Sequence, residues 1–164
     1  QIGQSRVILD PRTLAKLLEA LDVQKDELVL DIGTGLGYSS AVISLIAEVV
    51  IAVEDDSSLA SEAEEILSEI GADNVVVQVS KLQDGAPEHG PYDVIILQGG
   101  IEEIPVSIFK QLKNGGRIGA IFVEKGLGTA KIGFKLNDKI NWRYSFNASA
   151  PVLPGFFKQK DFAL

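Results

Sequence analysis

The residues best equipped for chemistry lie in the stretch VLDIGTGLGYSSAV, Val29–Val42. A short apolar strand runs into glycines at every second position, Gly33, Gly35 and Gly37, and a helix opens directly after them. Backbone N–H groups at a helix start suit an anionic or polar ligand, and glycine lets that ligand approach the chain closely. The dinucleotide fingerprint G-x-G-x-x-G would need a further glycine where this chain has Tyr38. Glu54 ends the next apolar run, where a carboxylate can accept hydrogen bonds from both hydroxyls of a ribose. A ribose-containing ligand without a pyrophosphate satisfies both observations, and S-adenosylmethionine is such a ligand. Glycines between a strand and a helix also serve turn geometry alone; the acid one strand later makes the combination more specific.

These residues need a frame that gathers them at one edge. Asp10-Pro11 reads as a helix start, with Asp10 as N-cap and Leu14, Leu17, Leu18 and Leu21 on one apolar face. Glu27–Asp31 reads as a strand buried on both faces, and Val49–Glu54 as a second strand. Asp56 caps a helix ended by Gly71, and strands Asn74–Val79 and Asp93–Leu97 follow. Pro105 opens another helix, which Gly115 and Gly116 stop before strand Arg117–Val123. Thr129–Leu136 and Lys139–Phe146 flank Asn137-Asp138, a hairpin signal. Strands alternating with helices imply one α/β domain over residues 1–164, with a doubly wound, mostly parallel sheet ending in an antiparallel hairpin. In such sheets the ligand sits beyond the carboxyl ends of the strands, at the point where strand order reverses. That brings Asp31–Tyr38, Glu54, the loop Ser80–Gln83 and Gln98-Gly-Gly100 around one crevice.

Composition narrows the chemistry. The 164 residues carry 15 basic and 23 acidic side chains, a net charge of −8, without the basic face a nucleic-acid binder needs. Cysteine is absent, which removes disulfides, thiolate metal sites and cysteine nucleophiles, including the one that cytosine C5 methylation requires. No apolar run approaches the roughly 20 residues that span a bilayer. The opening QIGQSRVILD lacks the basic start and apolar stretch of a secretory leader, so a soluble, cytoplasmic protein is the expectation. Methionine is absent as well, including an initiator, and a processed or N-terminally truncated chain is expected. His89, the single histidine, sits in a Pro/Gly-rich loop and reads as a solvated residue. Asp55 and Asp56 read as helix-start carboxylates rather than as a metal site.

Three segments carry a resemblance to a known family. LVLDIGTGLGYSSAVISLIAEVVIAVE, NVVVQVSKLQDGAPEHGPYDVIILQGG and EIPVSIFKQLKNGGRIGAIF resemble, in order and spacing, successive motifs of the protein-L-isoaspartate O-methyltransferases. The phrases DIGTGxGY, PEHGPYD and QLKxGGR are far more specific than a general methyltransferase glycine loop, and the resemblance covers nearly the whole chain. It implies the class I S-adenosylmethionine-dependent methyltransferase fold, that cofactor, and isoaspartyl residues of damaged proteins or peptides as substrate. It implies that Gly33, Thr34, Gly35 and Leu36 line the methionine part of the cofactor and that Glu54 binds its ribose. The cofactor-binding set expected is Asp31, Gly33, Thr34, Gly35, Leu36, Gly37, Glu54, Asp55, Lys81, Leu82 and Gln98; no catalytic side chain is singled out. Two positions depart from the family pattern. Ser80, Lys81 and Leu82 stand where the family has a G-D-G triplet whose aspartate lies close to the adenine, and Leu9 stands where it carries a serine near the reacting carboxylate. The family also begins some tens of residues earlier, with a segment that helps enclose the substrate.

Methyl transfer to a carboxylate needs little proton traffic, because a carboxyl group of pKa near 4 is ionised at neutral pH. Alignment and exclusion of water are then the protein's contribution, and the lack of an obvious general base fits that reaction better than phenol or amine methylation. Two function classes follow: a carboxyl methyltransferase, favoured by the glycine turn and Glu54, and a cofactor-binding or assembly module without turnover, favoured by Leu9 and Lys81. A nicotinamide-dependent oxidoreductase fits the glycine spacing poorly.

Overall fold

In the computed structural model, which describes Ile2 and residues 6–158, Asp10 starts the first helix as its sequence predicts. The Asp10 side chain accepts hydrogen bonds from the amides of Arg12 and Thr13 at 3.0 and 3.3 Å, a cap worth about 1 kcal/mol. Helix α1 (Pro11–Leu21) buries Leu14, Leu17, Leu18 and Leu21 and ends at Asp22 in the left-handed region. Three further helices follow in chain order: α2 (Tyr38–Ser44), α3 (Ser57–Glu69) and α4 (Val106–Gln111). Asp56 caps α3 by accepting from the Ser58 and Leu59 amides.

The strands are β1 (Leu28–Ile32), β2 (Val49–Glu54), β3 (Val75–Val79), β4 (Tyr92–Ile101), β5 (Leu112–Glu124), β6 (Leu127–Leu136) and β7 (Lys139–Asn147). They form one sheet in the order β3-β2-β1-β4-β5-β6-β7. The first five strands run parallel, whereas β6 and β7 close the sheet antiparallel, as the Asn137-Asp138 turn requires. The apolar runs of the central strands feed two cores, one on each face. Val29, Val50 and Val94 join α1 in the first, while Leu30, Ile51 and Ile95 point to the second. Strand order reverses between β1 and β4, and the loops after these strands frame a crevice.

Two boundaries differ from the sequence expectation by more than two residues. Gly115 and Gly116 do not stop a helix: α4 already ends at Gln111, and both glycines lie inside β5. They form an irregularity there, since Tyr92 pairs with Leu112 and the next partners are Val94 and Arg117. Gly115, at φ +83°, supplies the left-handed residue that folds the extra chain outward. Strand β4 also overruns its expected end at Leu97 and carries Gln98-Gly-Gly100 to Ile101. After a shift in register, Gly100 and Ile101 stay paired with Ile121 and Phe122 of β5, and the C-terminal tail adds a bridge at Gly100. The Gly100 amide donates to the Pro151 carbonyl at 2.7 Å, and the Leu153 amide to the Gly100 carbonyl at 2.8 Å. A Cβ on Gly100 would lie 2.5 Å from the Ala150 carbonyl oxygen, so glycine is what admits the C-terminal tail beside this strand.

Candidate functional site

Site construction starts at the carboxyl end of β1. Asp31 is fully buried and accepts three hydrogen bonds, from the Ser39 hydroxyl at 2.6 Å, the Ser40 hydroxyl at 2.5 Å and the Gln98 amide at 2.7 Å. Thr34 and Ser40 share a further hydroxyl contact of 2.8 Å. This network ties the start of α2 and the end of β4 to the centre of the sheet. Burial pushes the Asp31 carboxyl above its ordinary value, and the donated hydrogen bonds only partly counter that. Between β1 and α2 the chain turns on Gly33, Gly35 and Gly37, at φ +84°, +59° and +85°. Side chains with a Cβ rarely adopt these angles, so the spacing read from the sequence is a backbone requirement.

Glu54 meets this turn from β2. Its side chain is completely buried; Oε2 accepts from the Gly35 amide at 2.7 Å, and Oε1 accepts from the Asp55 and Asp56 amides at 3.0 and 3.2 Å. The remaining donors come from a residue that the sequence did not single out. The Arg6 guanidinium makes a two-pronged pair with Glu54, Nη1 on Oε1 and Nη2 on Oε2, and Nη1 also reaches Asp55 Oδ1 at 3.0 Å. Burial disfavours the ionised Glu54, but the hydrogen bond and charge of Arg6 outweigh it and hold the carboxyl below its ordinary value. The available signal was indirect: Glu54-Asp55-Asp56 ends a buried strand in three acids, and a buried carboxylate requires a cation or several donors.

The structure brings Asp31, Gly33, Thr34, Gly35, Gly37, Glu54, Asp55 and Gln98 together through these bonds and turns, with Leu36 inside the same turn. Leu82 is fully buried, but as part of the second core beside Ile32 and Val53. Lys81 is exposed and makes no side-chain hydrogen bond or ion pair to the other candidates among the described residues. Leu9 is buried and lines the crevice with Val7, Ile8, Gly33, Thr34 and Gln98. His89 is exposed on a short 3-10 turn, away from these contacts.

At this end of the sheet the chain therefore presents a buried carboxylate, here occupied by Arg6, beside a glycine turn. The protein-family model described as Protein-L-isoaspartate(D-aspartate) O-methyltransferase matches residues 1–142. The chain belongs to this family. A protein-L-isoaspartate O-methyltransferase of Syntrophus aciditrophicus is 38% identical over 117 residues, covering 71% of this chain and 54% of that protein. A solved protein-L-isoaspartate O-methyltransferase superposes with a TM-score of 0.83 at 29% identity, over 88% of this chain and 47% of the other. A Plasmodium falciparum structure assigned provisionally to the same enzyme, in complex with S-adenosyl-L-homocysteine, shares the fold. Its TM-score is 0.76 at 20% identity, over 93% of this chain and 78% of its own. The chain spans about half the length of the curated relatives it matches. With the family established, the seven-stranded sheet and its antiparallel finish are those of a class I methyltransferase.

Proposed function

We propose that this chain carries the cofactor-binding core of an S-adenosylmethionine-dependent carboxyl O-methyltransferase acting on isoaspartyl residues of proteins or peptides. The observation that carries the reading is Glu54: a wholly buried carboxylate at the end of β2, held against the glycine turn by the Gly35 amide. Glu54 would hold the ribose, and Gly33–Leu36 the methionine part. The bound cofactor supplies an electrophilic methyl group on a sulfonium. The residues around it bind, orient and exclude water, and the substrate carboxylate enters already ionised, so none of them has to remove a proton. Leu9, buried at the crevice wall, supports a second reading, in which the chain binds cofactor but does not turn over.

Calorimetry with S-adenosylhomocysteine and NAD tests the cofactor, and transfer of a radiolabelled methyl group to an isoaspartyl peptide tests the reaction. Binding of S-adenosylhomocysteine without NAD is expected, together with peptide labelling. Heat from NAD alone would overturn the cofactor assignment; binding without labelling would select the module.

A further inference from the structure

The Glu54 carboxylate is already saturated. Five donors converge on it: the amides of Gly35, Asp55 and Asp56 and both terminal nitrogens of Arg6. A carboxylate offers about four lone-pair sites, so no acceptor is left for a diol. The guanidinium also lies over Gly33, where a Cβ would stand 3.3 Å from Nη2. Ile2 covers Gly35, and its amide donates to the Arg6 carbonyl at 3.0 Å. The space left between Val7–Leu9, Gly33, Thr34 and Gln98 is about 10 Å³, whereas ligand pockets measure roughly 300–1,000 Å³.

Resting on the cofactor reading above, we propose that Arg6 is an internal competitor for the nucleoside site: its guanidinium fork occupies Glu54 in place of the two ribose hydroxyls, and ligand binds only as Arg6 leaves. Two N–H donors on one rigid plane replace two O–H donors on adjacent carbons, so the exchange conserves hydrogen bonds at Glu54. The contest is therefore decided by what else each occupant gains. Arg6 gains the charge of Glu54 and the contact with Asp55; a nucleoside gains the glycine backbone and the crevice walls.

Two measurements test the latch. In calorimetry, Arg6→Ala is expected to bind S-adenosylhomocysteine at least about fivefold more tightly than the unmodified chain, since no fraction of it is closed by the competitor. On the unmodified chain, saturating S-adenosylhomocysteine is expected to hasten tryptic cleavage of the Arg6–Val7 bond, followed by mass spectrometry, because the side chain that trypsin reads leaves its buried seat. Should Arg6→Ala fail to fold, the proteolysis decides. Equal or weaker affinity in the variant, or cleavage that is unchanged or slowed, overturns the latch while leaving the cofactor reading in place. Binding by neither chain overturns both.

Discussion

At the scale of single residues, Arg6 changes how Glu54 must be interrogated. Glu54→Ala removes charge-assisted hydrogen bonds to a ribose, worth roughly 1.5–3 kcal/mol, but in the unmodified chain it also frees Arg6 from the crevice. The two consequences oppose each other. The loss of S-adenosylhomocysteine affinity should therefore be at least about tenfold when Glu54→Ala is made in an Arg6→Ala background, and smaller in the wild-type background. A calorimetric double-mutant cycle checks this, and equal losses in both backgrounds would mean that Arg6 and the ribose do not share the carboxylate. Lys81 calls for the contrary expectation. Its side chain is exposed and holds no partner among the site residues, so Lys81→Asp should alter affinity by less than about twofold, leaving the adenine to backbone groups of Ser80–Leu82. Tightening by a full hydrogen bond, about 0.5–1.5 kcal/mol, would instead show that position 81 faces the ligand.

Among the elements, the clearest non-hydrophobic join is Arg117 of β5. Its Nε donates to the Leu21 carbonyl at 2.7 Å and Nη2 to the Asp22 carbonyl at 2.9 Å, closing the end of α1, while both terminal nitrogens pair with Glu27 at 2.7 Å. Arg117→Ala should cost about 2–3 kcal/mol in urea unfolding, because it strands a half-buried carboxylate and two helix-end carbonyls. The pH dependence has a definite sign. The hydrogen bond from Arg117, more than its charge, holds Glu27 below its ordinary value against the effect of burial. The stabilisation is therefore complete above the unfolded glutamate value of about 4.3 and disappears as pH falls through the lower folded value. Glu27→Gln should flatten the acid limb of the stability profile, and an unchanged limb would exclude Glu27 as a source of acid sensitivity. Such long-range joins also mark what the sequence could not disclose. Asp10-Pro11, the apolar runs of β1 and β2, and the glycine turn are local signals, and each reads correctly from the chain. The extension of β4 through Gly99 to Ile101 rests on Ile121 and Phe122 of β5 and on Pro151 and Leu153 of the tail, all distant in sequence, and the lone Arg6 has no spacing that marks it as the partner of Glu54. Gly115-Gly116 mislead for a related reason: the same pair that could end a helix serves here as an irregularity inside β5.

For the whole molecule, the position of the crevice predicts how binding and stability are coupled. The glycine turn, Glu54 and the Asp31 network touch β1, β2, β4 and α2, which are the centre of the sheet rather than its edge. A ligand held there contacts structure that persists until global unfolding, so its binding free energy should appear as stability of the entire 164-residue chain. At a concentration one hundred times its apparent Kd, S-adenosylhomocysteine should stabilise the fold by about 2.7 kcal/mol. For a chain of this size each kcal/mol raises Tm by roughly 2–4 °C, which gives a shift of about 5–11 °C. Expulsion of Arg6 is already contained in the apparent Kd, so the same multiple of Kd should produce the same shift in Arg6→Ala, although at a lower absolute concentration. Differential scanning calorimetry of both chains across a ligand series checks the coupling. One transition that moves with ligand is expected, whereas a transition that splits, with only part of it responding, would mean that the crevice melts separately from the rest of the sheet.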